Sequence, residues 1–420
     1  MFRPLHALLA TPSLVFLATL TVVLFRPPDL DLGHLDRFTF ALLVVVVLLR
    51  AALLQQRIFF VGSVSWPMAG LLALAVIGAL TQPFQAQTWS LLAAKFLVPF
   101  TLFHLAAMVF DDEHSQRQFE TFALVALAYL CFIAIASLLG ATALIYPRYI
   151  LDESLGIHAD RARGPFLQAV ANGVAINLLG LLAFNAYRRG RLHGVLALVL
   201  LATLPMAILA TMTRAVWLSF AVSIGLMPFL TKSARLWRVC FSMAAVATIG
   251  LVLASGAGRF RAALEDRLEE RSPVEFRMAI YQVSWEMIGE KPLLGWGQNQ
   301  MPVEIARRMA DYRPDTYCAH NSYLEILVEQ GAIGLLLYGW IIVGLFRVGR
   351  RKVAESQHSG TVFDQQFRSL WPILLAVYFV NSLFVVMNYQ FVNALLFTLA
   401  GILAGQNRRL TESPPDVVSS

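Results

Sequence analysis

The stretch "TFALVALAYLCFIAIASLLG" (121–140) carries no charged residue. A helix needs roughly 20 mostly apolar residues to cross a bilayer, and a soluble core helix has no use for so uniform a run. Such runs recur along the chain. They fall at about 5–25, 38–55, 58–80, 89–110, 119–141, 167–186, 193–212, 214–230, 236–256, 322–346, 369–386 and 388–405. The whole chain is 58% hydrophobic and 14% charged, against roughly 45–50% and 25% in soluble domains. The expected fold class is therefore an all-α integral membrane protein of about 12 transmembrane helices.

Lys and Arg in short loops set the orientation of such a bundle. "YRRGRLH" (187–193), "TKSARLWR" (231–238), "RVGRRK" (347–352) and "NRRL" (407–410) fall on one side. "TQPFQAQ" (81–87) and "VVMNYQF" (385–391) fall on the other and carry no positive charge. Both termini are thus expected in the cytoplasm. The first apolar run reads as a span, since no small-residue cleavage site leading into a soluble domain follows it. The net charge of +7 suits anionic lipid and loop anchoring rather than nucleic acid. Cys131, Cys240 and Cys318 lie in settings too different for a disulfide framework or a metal cluster. No repeat of 20–50 residues is visible.

These expectations divide the chain into spans one to nine (1–256), a large outer loop (257–321), spans ten to twelve (322–405) and a cytoplasmic tail (406–420). The outer loop has helical texture. Ser272-Pro273 is a helix start, and Phe276, Ile280, Val283 and Met287 then recur on one face, with Arg277, Tyr281 and Ser284 on another. "GWGQN" (295–299) reads as a turn, and a second amphipathic helix is expected over about 302–312.

Arginine suits bidentate phosphate contacts, and the outer side collects many. Those from Arg259 to Arg271 have Glu265, Asp266, Glu269 and Glu270 beside them and read as solvated or paired. Arg214, in "TMTRAVWLSF", starts a span after a loop too short to let it wander. Snorkelling to the interface explains it as well as an anion site does. Arg161 and Arg163, in "RARGPF", precede a Gly-Pro turn that fixes where they point. Lys95 lies several residues inside the fourth span. An ionisable group there is a candidate for function, although lysine is long enough to snorkel.

The stretch "CAHNSYLEILVEQG" (318–331) sets His320, Asn321, Glu325 and Glu329 at the mouth of a span. Ser322-x-x-Glu325 fits a capping box, which would account for Glu325. A histidine near the interface suits proton transfer from a hydroxyl. No second ligand stands at metal-binding spacing. The chain has no Walker motif, dinucleotide fingerprint or nucleophile elbow, and "GWGQNQ" is only superficially a phosphate loop.

"TRAVWLSFAVSIGL" (213–226), "FRMAIYQVSWEMIGEKPLLGWGQNQ" (276–300) and "AHNSYLEILVEQGAIGLLLYGW" (319–340), in that order and topology, resemble the O-antigen ligase / O-antigen polymerase superfamily over about 160–345. The resemblance implies a GT-C type membrane glycosyltransferase with a helical periplasmic loop in the bacterial inner membrane. It implies a glycan donor on undecaprenyl pyrophosphate and, for a ligase, a lipid A-core acceptor, with no metal and no cofactor. It assigns catalytic roles to Arg214, Arg277 and His320. Arg161, Arg163, Lys95, Asn321 and Tyr281 become substrate-binding candidates. The single dominant outer loop favours a ligase over a polymerase. A transporter also suits twelve spans, but the paired interrupted helices of that class are not visible.

Overall fold

The computed structural model describes residues 11–26, 34–55, 61–156, 158–231, 234–256, 272–309, 321–350 and 362–412. Helices, with short 3₁₀ turns between them, form all of its regular structure among those residues. Each of the twelve apolar windows carries a helix. They are α1 (Pro12–Leu24), α2 (Leu35–Leu53), α3 (Ser65–Leu80), α4 (Ala86–Val109), α5 (Glu113–Leu138), α6 (Ala169–Arg188), α7 (Gly194–Ala210), α8 (Arg214–Thr231) and α9 (Ala234–Gly256). The segment expected as an outer loop contributes α10 (Ser272–Glu290) and α11 (Met301–Arg308); then come α12 (Ser322–Arg350), α13 (Gln365–Ser382) and α14 (Gln390–Glu412).

By length and composition α4, α5, α6, α8 and α12 qualify as membrane spans, while α1, α3 and α7 are apolar but shorter. The qualifying set is thus smaller than the twelve windows. In α2 the reason is local, because Asp36, Arg37 and Arg50 interrupt the apolar run.

The helix α6 is the centre of the bundle, with 94% of its apolar window buried. Small residues let its neighbours approach, as is usual between membrane helices. A side chain at Gly173 would strike Val216 of α8, and one at Gly180 would strike Leu204 of α7. The closest crossing is between α4 and α14. There Gly401 and Gly405 lie directly on the backbone of Phe103 and Ala107.

The bundle has two unlike ends. At the one carrying the basic loops, Arg188 pairs with Asp364 at 2.6 Å and Arg189 with Glu120 at 2.9 Å. Asp364 also caps α13 by accepting from the Phe367 amide at 2.8 Å, a normal N-cap bond. At the other end the Ala162 amide donates to the Ala210 carbonyl at 3.1 Å. Gln82 donates to the Trp296 carbonyl at 3.2 Å, and the Met387 amide donates to Ser322 Oγ at 2.8 Å. We call this second end the mouth.

The outer loop packs onto the mouth much as its periodicity predicts. Ile280 and Met287 of α10 are fully buried against Met301 and Ile305 of α11 and Val328 of α12, with Phe276 and Val283 packed at the edge. Tyr281 and Ser284 depart from the expectation: Tyr281 packs against this same cluster, and Ser284 is buried. The second helix is shorter than expected and ends at Arg308.

The largest departure from a regular bundle lies in α12. Gly331 has φ 66° and ψ −168° and breaks the helix. The turn after α10 fills the break. The amides of Ala332 and Ile333 donate to the carbonyls of Pro292 and Leu293 at 2.8 and 3.3 Å. In return the amides of Trp296 and Gly297 donate to the carbonyls of Val328 and Glu329 at 2.9 and 2.8 Å. The two backbones are so close that a Cβ on Gly331 would overlap Leu293, and one on Gly295 would overlap the peptide joining Glu329 to Gln330. Only glycine tolerates both the conformation and the approach.

Candidate active site at the mouth of the bundle

Asn321 is the N-cap of α12. Its Oδ1 accepts from the amides of Tyr323 at 3.0 Å and Leu324 at 3.1 Å. This overturns the capping box expected from Ser322 and Glu325. Asparagine is as good a cap as serine, and it frees both of those residues. Ser322 instead donates to the Val385 carbonyl at 3.0 Å. Glu325 pairs with Lys95 Nζ at 2.7 Å, and the two side chains are only 13% and 8% exposed.

Lys95 therefore does not reach for the interface by itself. It sits in a π-helical turn, Ala93–Leu97, inside α4. Such wide turns occur often at functional sites. The pair lines a small cavity shared with Glu329, Tyr338, Tyr378 and Asn393. Glu329 is 3% exposed and its Oε1 has no hydrogen-bond partner among the described residues. Tyr378 donates to Asn393 Oδ1 at 2.6 Å, and Asn393 donates to the Met387 carbonyl at 3.0 Å. The sequence signal for Glu329 was its spacing, four residues after Glu325 on the same helical face. Tyr378 and Asn393 had none, because they sit in apolar windows of other helices.

Arg214 is the first residue of α8 and is exposed. The corner before it is fixed: Trp217 Nε1 donates to the Ile208 carbonyl at 3.0 Å, and Thr213 Oγ1 donates to the Thr211 carbonyl at 2.9 Å. Arg214 makes no hydrogen bond or ion pair with any described residue. It opens an 18-residue helix, whose N-terminal partial positive charge adds to that of its side chain.

The Ala162–Ala210 bond brings Arg161 and Arg163 to this corner. Arg163 is 1% exposed and is used by the fold. It donates to the carbonyls of Ile150 at 2.9 Å, Leu155 at 2.5 Å and Asp152 at 2.5 Å. Those bonds hold the 148–155 loop in place and give the Arg163 guanidinium a structural task. Arg161 is nine-tenths buried and contacts His158 Nδ1 at 3.2 Å. The segment between α13 and α14, with the first turn of α14, links the corner to the cavity. Phe391 stacks on Phe166 at 5.6 Å between ring centroids, while Met387 bonds to Ser322.

Arg277 lies on α10, half-buried, and its Nε has no partner among the described residues. Farther along this helix, Glu290 accepts from Arg308 at 2.6 and 2.8 Å, which holds its carboxyl below its ordinary range. Lys291 lies 3.9 Å from the centroid of the Trp296 ring. His320 precedes Asn321 and lies outside the described residues, as do Cys318 and the arginines from Arg259 to Arg271.

The geometry thus joins Lys95, Glu325 and Asn321 around one helix start, and Arg161 and Arg214 around one corner. Arg214, with no carboxylate among the described residues, stands at a helix N-terminus, where an anion can be received.

A family model described as O-antigen ligase matches residues 196–339. The match takes in Arg214, Arg277, His320 and Glu325, and it excludes Lys95, Arg161 and Arg163. No curated protein matches the chain.

Proposed function

We propose, from the match of residues 196–339 to the O-antigen ligase family model, that the protein is a membrane glycosyltransferase acting at the mouth. The donor is a glycan on undecaprenyl pyrophosphate and the acceptor is a sugar hydroxyl of lipid A-core. The reaction lies on the periplasmic side of the bacterial inner membrane, and both termini of the chain are cytoplasmic. The anomeric C–O bond to pyrophosphate breaks as the acceptor oxygen attacks from the opposite face, so the configuration inverts. His320 takes or orients the acceptor proton, and the pyrophosphate leaves as an anion.

The observation that carries this reading is Arg214: a cation at a helix N-terminus, on a rigid corner, with no carboxylate among the described residues. Fixed positive groups aimed at developing negative charge form a large part of catalysis in such sites. Arg277 supplies a second guanidinium inside the matched domain, with no carboxylate among the described residues. Lys95, which lies outside that domain, contributes an ammonium from α4. A lipid-linked donor suits the setting, since its tail can lie among the spans while the pyrophosphate stays at headgroup depth.

The deciding experiment incubates the purified protein in liposomes with undecaprenyl-pyrophosphate glycan, with and without lipid A-core. Transfer that requires lipid A-core is the expected result. Lengthening of the glycan on its carrier, without lipid A-core, would make the protein a polymerase. No product in either case, beside a working control enzyme, would overturn the reading.

A further inference from the structure

The Lys95–Glu325 pair joins two parts of the chain with different standing. Glu325 lies in the matched domain, and Lys95 lies on a helix about a hundred residues before it. Three features separate this pair from an ordinary structural salt bridge. First, Glu325 has been released from helix capping, because Asn321 serves that need. Second, the lysine is carried on a π-helical turn, which costs hydrogen-bond geometry in an otherwise regular helix. Third, the pair borders a cavity rather than packed side chains, and that cavity also holds the unpartnered Oε1 of Glu329. Buried pairs are poor devices for stability, since apolar residues of the same volume serve as well.

Resting on the glycosyltransferase reading above, we propose that Glu325 is a positioning residue that acts through Lys95. A lysine stem has four rotatable bonds, and an ammonium beside an open cavity has many directions to turn. The carboxylate fixes it at the start of α12, one turn from Asn321. The N-terminal bundle thereby supplies a charge to the mouth that the matched domain does not contain. Glu325 itself contacts no reacting atom; its effect on transfer passes through the ammonium.

The test is a double-mutant cycle on the full chain, with a chemical readout beside it. Glu325→Gln is expected to lower kcat/KM for the lipid-linked donor about tenfold with Lys95 present, and no more than about twofold in a Lys95→Met background. Glu325→Asp is expected to restore part of the loss. Equal losses in both backgrounds, or a gain of activity in Glu325→Gln, would overturn the proposal. Labelling of Lys95 by an amine reagent, read by mass spectrometry, is expected to speed up at least about fivefold in Glu325→Gln, because the ammonium is no longer held. An unchanged labelling rate would also overturn it. Labelling needs no transfer. If it responds while the wild-type chain transfers no glycan, the functional reading has failed and the positioning role stands.

Discussion

The two ends of the bundle carry cations in comparable settings, at helix termini joined by short turns, yet they use them differently. At the basic end Arg188 and Arg189 each find a carboxylate from another helix, and Arg235 lies over the ring of Tyr187 at 4.2 Å. Those charges serve the fold. At the mouth Arg214 and Arg277 find no carboxylate among the described residues. A count of arginines cannot separate these roles, whereas the partners of each one can. Arg214 and Arg277 therefore keep a full charge to offer at the mouth.

The sharpest way to break this contrast is Arg214→Ala. Transfer should fall about a hundredfold or more, the usual scale for losing one fixed electrostatic group, while the thermal midpoint of the purified protein stays put. A normal rate would return Arg214 to the role of interface anchor, and Arg214→Lys should fall between the two. Arg189→Ala tests the opposite end. It leaves Glu120, 2% exposed, without its partner and should cost about 3 kcal/mol in stability, with the specific activity of the folded fraction unchanged. Denaturation monitored in detergent would measure it.

Arg163→Ala sharpens the comparison, because this arginine is near the mouth but behaves as those of the basic end do. Three carbonyls lose their donor, and stability should fall by about 2 kcal/mol. A loss of transfer larger than the loss of folded protein would give Arg163 a contact with substrate after all. The smallest effect is expected at Glu290. Its carboxyl is held low by Arg308, so its contribution is present above the ordinary carboxylate value of about 4.3. That contribution is lost as the pH falls through its lower folded value. Glu290→Gln should flatten this acid limb in a plot of thermal midpoint against pH, and an unchanged slope would show that the pair does not contribute.

Much of the fold was legible because hydropathy is local information. Each apolar window became a helix, and the face of Phe276, Ile280, Val283 and Met287 found the partners that its period required. Sequence reasoning failed where two distant segments decide one another. Ser322 and Glu325 satisfy the capping pattern, but the pattern cannot know that Lys95 waits 230 residues away or that the Met387 amide needs an acceptor. The break at Gly331 was equally hidden, since its cause is the backbone of Pro292 to Gly297. Arg163 and Arg214 look alike in the sequence, and only the carbonyls around the first tell them apart. The family match does not reach Lys95, which the sequence offered as an ionisable group inside a span and whose partner Glu325 only geometry supplied.

That break has a consequence for the order in which the molecule can be made. The Pro292–Gly297 turn leaves the ribosome before α12 does, and its donors and acceptors must then stay in water until Val328 to Ile333 arrive. Helix α12, for its part, cannot enter an apolar layer at Gly331 with bare peptide groups, since each unpaired one costs several kcal/mol there. The two segments are obliged to finish together. The outer loop is thus completed by the insertion of a later helix, and its final shape serves as a receipt that the helix has been delivered.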